Sequence, residues 1–159
     1  MTKRSPGLVA LVLALSVPTM AQAHLMNSGL GPFYDGALHL VASPMDVVRL
    51  GTLCLFAGSQ GLVAARASAL AAPVAWSMAG VLAILLGATA RLDLVHAVAL
   101  ILIGSVVALN LKLPVLATVA ITACIAGLLG FQSGIDLASD EAGWLALSGA
   151  ACVTLAIVL

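Results

Sequence analysis

Five long apolar stretches, at about 45–65, 68–90, 93–111, 113–132 and 142–159, set the terms for this 159-residue chain. Each is close to the ~20 residues that carry a helix across a ~30 Å hydrocarbon core. They are continuously apolar and do not alternate with period two, so helices are favoured over a β-barrel. Apolar residues make up 63% of the chain and charged ones only 8%, whereas a soluble domain needs roughly a quarter charged residues to cover its surface. Most of the surface must therefore face lipid. The reading is an all-α, polytopic transmembrane bundle: about five membrane-spanning helices preceded by a short half-helix within 29–42, where Gly31-Pro32 and Pro44 interrupt the chain.

The 6 basic and 6 acidic side chains cancel and are scattered, which excludes a phosphate-binding surface and hence nucleic acid. No glycine-rich run ends in Lys-Ser or Lys-Thr, and no serine sits in a nucleophile elbow, so neither an ATPase nor a hydrolase is legible and the chain reads as no enzyme. Cys54, Cys124 and Cys152 match no zinc spacing and read as small packing residues near mid-membrane. Glycines such as Gly80, Gly87, Gly104, Gly127, Gly130 and Gly149 read as points where helix backbones approach closely.

Residues 1–23 read as a cleavable secretory leader: Lys3 and Arg4, an apolar core from Leu8 to Val17, Pro18, and the small-x-small site Ala21-Gln22-Ala23. Cleavage would leave 24–159 as a single transmembrane domain with His24 as its periplasmic amino terminus, in a bacterial inner membrane. Arg66 and Lys112 then fall inside, while Arg91, Asp136, Asp140 and Glu141 fall outside, in accord with the positive-inside rule.

Ionisable groups in or beside a membrane segment cost on the order of 2.5–3.5 kcal/mol at the centre, so each needs an explanation. Asp35 and His39 lie four apart, Asp46 and Arg49 three apart, and Asp93 and His96 three apart, spacings that share one helical face. With Asp136 they gather on the predicted outer half. Imidazole and carboxylate together suit a borderline divalent ion. The candidate ligands are His24, Asp35, His39, Asp46, Asp93, His96 and Asp136, for nickel, cobalt, copper or zinc as a transported or bound ion, with no permanently bound cofactor. A free amino-terminal histidine chelates through two nitrogens, and nearby Met26 adds a thioether that suits copper(I). The plainer alternative for each histidine is a hydrogen-bonded interfacial residue, and for Asp46 with Arg49 a structural ion pair. Gln60, Asn110 and Gln132 read as interhelical hydrogen-bonding groups.

A leader ending in Ala-x-Ala-His, the stretch Gly31-Pro32-Phe33-Tyr34-Asp35-Gly36-Ala37-Leu38-His39, and a following helix opened by an Asp together resemble the HupE/UreJ family of bacterial membrane proteins, over essentially the whole chain. The resemblance implies a permease that captures nickel at the outer face through a His and a later Asp-His pair. His39 and Asp46 match the first His and the Asp, with one extra residue between them, and Val47 replaces the second His. Asp93, eleven residues before Gly104, matches a family carboxylate, with Asp in place of Glu. Where the family has His-Gly-x-x-His-Gly-x-Glu, this chain has Leu129-Gly130-Phe131-Gln132-Ser133-Gly134-Ile135-Asp136, keeping both glycines and the acid and losing both histidines.

The function expected is capture of a metal ion outside by His39 and Asp46, assisted by His24 and Asp35, and passage toward Asp93, His96 and Asp136. Two other readings stay open: an outward-facing metal-binding accessory protein, for copper, that does not conduct, and a structural subunit of a membrane complex. The partners expected are the lipid bilayer, the metal ion, and either further copies of the chain or another membrane protein.

Overall fold

A computed structural model describes residues 28–137 and 143–158. The leader, His24, Asp140 and Glu141 lie outside the described residues. The described residues form six helices and no strand: α1 (Pro32–Ala42), α2 (Pro44–Ser59), α3 (Leu62–Leu86), α4 (Asp93–Ala108), α5 (Val115–Leu137) and α6 (Gly143–Val158).

Local chemistry sets the breaks. Ser43 lies between α1 and α2 with extended backbone, and its hydroxyl accepts the Asp46 N–H at 3.3 Å. Pro44, whose missing N–H is no loss in a first turn, then starts α2. The two helices meet at a 71° bend. Gly61 at φ 101° separates α2 from α3, and Gly87 at φ 58° ends α3 in the left-handed conformation open to a residue without Cβ.

Five full spans are not what the structure holds. Among the described residues, only α3, 25 residues, and α5, 23 residues, are each long and apolar enough to cross a membrane, and the bent α1–α2 pair makes a third if it counts as one span. Helices α4 and α6 have 16 residues each, about 24 Å at 1.5 Å per residue, short of a ~30 Å core. Apolar composition overstates helix length here because it runs on through residues whose backbone has already left the helix. Gly87-Ala88-Thr89-Ala90 and Leu109-Asn110-Leu111 are such places, and Asn110 takes a positive φ of 51°.

Two backbone-to-backbone seams hold the bundle. In the first, α3 packs along α5, and a Cβ at Gly130 would overlap the Trp76 carbonyl while one at Gly134 would overlap that of Gly80. Trp76 and Ala83 are fully enclosed beside this seam. In the second, α1 lies on α6, where a Cβ at Gly36 would meet the Ala146 carbonyl and one at Gly149 that of Phe33. Close backbone approach through small residues is the cohesive device available when lipid is as apolar as the side chains.

The polarity of the molecule runs opposite to that of a soluble protein. Leu70, Val74, Met78, Leu82 and Leu85 of α3 and Leu94, Ile101 and Leu102 of α4 point outward. His39, Ser68, His96, Thr118, Thr122, Gln132, Ser133 and Thr154 are buried. An apolar exterior on this scale is compatible with a membrane protein.

Candidate functional site: a histidine end with unpaired ring nitrogens

The α1–α2 bend, the start of α4 and the last turns of α5 come together at one end of the bundle and bring most of the candidate residues with them. His39 sits in the last turn of α1, where its carbonyl accepts the Ser43 N–H at 3.1 Å, and its side chain is turned inward. His96, one turn into α4, is 1% exposed. Nδ1 of His39 and both ring nitrogens of His96 are buried without a hydrogen-bond partner among the described residues. The Leu128 backbone of α5 approaches the His96 ring without meeting hydrogen-bond geometry.

Charges surround these rings. Arg49 Nη1 donates to Asp46 Oδ1 at 2.9 Å across one turn of α2, with both side chains largely covered, and its Nε is buried without a partner. The ion pair anticipated from spacing is therefore formed. The charges of Arg49, Asp93 and Asp46 act on His96, and those of His39, Arg91 and Asp46 act on Asp136. Asp46 is thus in electrostatic reach of both His96 and Asp136.

Gln132 ties this end together. Its Oε1 accepts the N–H of Leu92, the residue that opens α4, at 3.1 Å, and its Nε2 donates to Asp136 Oδ1 at 3.2 Å. A side chain of α5 thereby satisfies an otherwise unpaired donor at the start of α4 and orients a carboxylate with the same amide.

The other candidates are placed differently. Asp93 is exposed in the first turn of α4, where a negative charge complements the helix dipole. Asp35 takes a local role, accepting from both the backbone N–H, at 2.7 Å, and the hydroxyl of Ser28. Among the described residues, no three of His, Cys, Asp and Glu gather closely enough to hold one ion. His39, Asp46, Asp93, His96 and Asp136 thus share one end of the bundle without forming a closed cage. Of the cysteines, Cys124 and Cys152 are exposed and Cys54 is half-buried.

The opposite end is closed by ordinary bonds. Gln60, after α2, donates from Nε2 to the Leu111 carbonyl at 3.1 Å and accepts the Leu113 N–H on Oε1 at 2.9 Å. Lys112 Nζ reaches the Ser59 carbonyl.

Sequence reasoning found the histidines and carboxylates because charge is rare in this chain. It passed over Ser68 and Thr122, whose buried hydroxyls also have no partner among the described residues. Single hydroxyls on separate apolar helices carry no spacing signal. No family model, curated protein or solved structure matches the chain.

Proposed function

We propose that the protein is a bacterial inner-membrane permease for a borderline divalent transition metal, nickel foremost with cobalt, copper or zinc as alternatives, in the manner of the HupE/UreJ proteins it resembles. The observation that carries this reading is the set of buried ring nitrogens without a hydrogen-bond partner among the described residues, Nδ1 of His39 and both of His96, at the end of the bundle that also holds Asp46, Asp93 and Asp136. Burying a polar nitrogen without a partner is costly, and such groups persist where a ligand completes them. Neutral imidazole is a ligand suited to these metals, and the carboxylates lower the electrostatic barrier to a dication.

In this reading the histidine end faces the periplasm, with the mature amino terminus and His24 on the same side. The ion meets His39, Asp46, Asp93, His96 and Asp136 as dispersed ligands at this end, none of them gathered into a closed cage. Conduction favours sites of this kind, which bind firmly enough to admit an ion and weakly enough to release it. The Asp46–Arg49 pair keeps Asp46 neutralised until an ion competes for the carboxylate. The bonded Gln60–Lys112 end supports a second reading, in which the ion is held at the outer face by a non-conducting, copper-binding accessory protein.

Total cell metal decides between the two. Cells expressing the wild type are compared by mass spectrometry with cells expressing His39→Ala and Asp93→Ala at matched membrane abundance. Accumulation of one metal, lost in both variants, is the expected result. Unchanged totals for nickel, cobalt, copper and zinc would remove the permease, and stoichiometric binding to the purified protein would then select the accessory reading.

A further inference from the structure

The end of the bundle closed by Gln60 carries two exposed cations, Arg66 in the second turn of α3 and Lys112 in the α4–α5 linker. Lys112 Nζ donates to the Ser59 carbonyl, which leaves two of its three N–H groups available, and Arg66 has no ion pair among the described residues. The sequence places no acid between Asp46 and Asp93 or between Asp93 and Asp136. Asp46 lies about 20 Å along α2 from Ser59, and Asp93 and Asp136 sit at the ends of α4 and α5 remote from Lys112. No carboxylate of these helices is near enough to neutralise the two cations.

Beside them a groove of about 100 Å³, open on one side, runs between α2 and α3. Leu53, Ala72 and Thr122 lie buried at its back, Ala65 and Ala69 form its wall along α3, and Gly58 is exposed on its rim. Small side chains on both helices leave this space unfilled. Leu55, Leu62 and Leu70 of the same helices are exposed, so the surface around the groove is apolar. From Ala65 to Ala72 the groove follows α3 for about 10 Å. A helix, roughly 10–12 Å across, is too wide to enter it, whereas a single hydrocarbon chain fits and supplies the dispersion contacts that facing walls of alanine lack. Arg66 follows Ala65 directly, and Lys112 reaches the residue after Gly58, so both cations stand at one mouth of the groove.

We propose that this groove binds one anionic phospholipid, with an acyl chain against Ala65, Ala69 and Ala72 and the phosphate held by Arg66 and Lys112. Clustered cations at the end of a membrane helix attract anionic headgroups, and an apolar slot beneath them fixes one lipid in place. In the orientation proposed above, the lipid belongs to the cytoplasmic leaflet. The site requires that the bundle lie in a bilayer and not that any ion cross it.

The full chain, delipidated in detergent, is titrated separately with dioleoyl phosphatidylglycerol and dioleoyl phosphatidylcholine, and bound lipid is counted by native mass spectrometry. One phosphatidylglycerol per chain is expected, held about tenfold or more tightly than phosphatidylcholine. Arg66→Gln is expected to reduce that preference about fivefold, and Arg66→Gln with Lys112→Gln to abolish it. Arg91→Gln, which removes an exposed cation near Asp136, is expected to leave the preference unchanged. Ala69→Leu, which fills the groove, is expected to weaken both lipids. Arg66→Gln alone breaks no ion pair among the described residues and carries the test if the double variant, which also loses the bond to Ser59, does not fold. A phosphatidylglycerol with a diazirine in its acyl chain is expected to label residues 53–58 and 65–72.

Equal affinity for the two lipids, a preference indifferent to Arg66, or photolabelling spread over the outward face of α4 would overturn the proposal. So would a dimer of this chain that Ala69→Leu dissociates, because a second copy would then cover the groove. Lipid binding as expected in a protein that changes no cell metal would support the lipid site and remove the permease.

Discussion

The two ends of the bundle are built from similar parts and finished differently. At one, Gln60 uses both halves of its amide on the α4–α5 linker and Lys112 reaches back to the Ser59 carbonyl. At the other, Gln132 reaches the start of α4 with its amide oxygen and Asp136 of its own helix with its amide nitrogen, yet His39 Nδ1, Arg49 Nε and both nitrogens of His96 are left buried without a partner among the described residues. A fold able to satisfy one end with a single glutamine has the means to satisfy the other. Unpaired groups kept inside a bundle reduce its stability, and among the described residues the buried, unpaired nitrogens all fall at the histidine end.

Three substitutions sharpen this contrast. The largest effect is expected from Arg49→Met, which leaves the partly buried Asp46 carboxylate without its cation and costs about 2 kcal/mol, below a fully buried pair because both side chains keep some contact with solvent. It is read as a lower unfolding midpoint in detergent. Next comes Gln60→Ala, expected to cost about 1–2 kcal/mol for two lost bonds to the α4–α5 linker while leaving metal binding at the histidine end unchanged. A change in metal binding there would mean that the ends are coupled.

The smallest effect on stability, and the most discriminating, belongs to His96→Leu. Removing a buried ring whose one polar neighbour, the Leu128 backbone, falls short of hydrogen-bond geometry is expected to leave stability within about 1 kcal/mol of the wild type, or slightly above it, while metal binding falls. If His96→Leu instead unfolded the protein by the same measure, the histidine would be structural and the two ends would differ only in degree.

The glycines show how far the sequence could be read. Small residues were expected to let helices approach, and Gly80, Gly130 and Gly149 do sit on the two seams. Gly87, of identical appearance in the sequence, instead ends α3 in a left-handed turn, and a Cβ at Gly104 would meet nothing within 4 Å. Gly134, which the family resemblance marks beside a lost histidine, belongs to the α3–α5 seam. A glycine records only that space or backbone freedom is allowed. Which of these is used depends on the neighbour, and no neighbour is written locally.

The same division runs through the candidate site. Spacing was enough to predict the Asp46–Arg49 pair, because residues three apart on one helix meet whatever else the fold does. Spacing could not show that Gln132 would cap α4 and hold Asp136, that Asp35 would be occupied by Ser28, or that Ser68 and Thr122 would face one cavity. Each of these depends on contacts between segments far apart in the chain or on a turn outside the helix.

By itself, then, the sequence determined an all-helical chain with helices apolar enough to cross a membrane, and it singled out the few charged and imidazole groups that such a composition makes costly. Solvent preference and helix periodicity are properties of short windows, so they survive without a fold. The tertiary structure alone decided how many helices are long enough to span, which glycines join helices, and which buried polar groups go unpaired. Those outcomes turn on where backbone breaks fall and on which carbonyl, amide or side chain arrives from another helix.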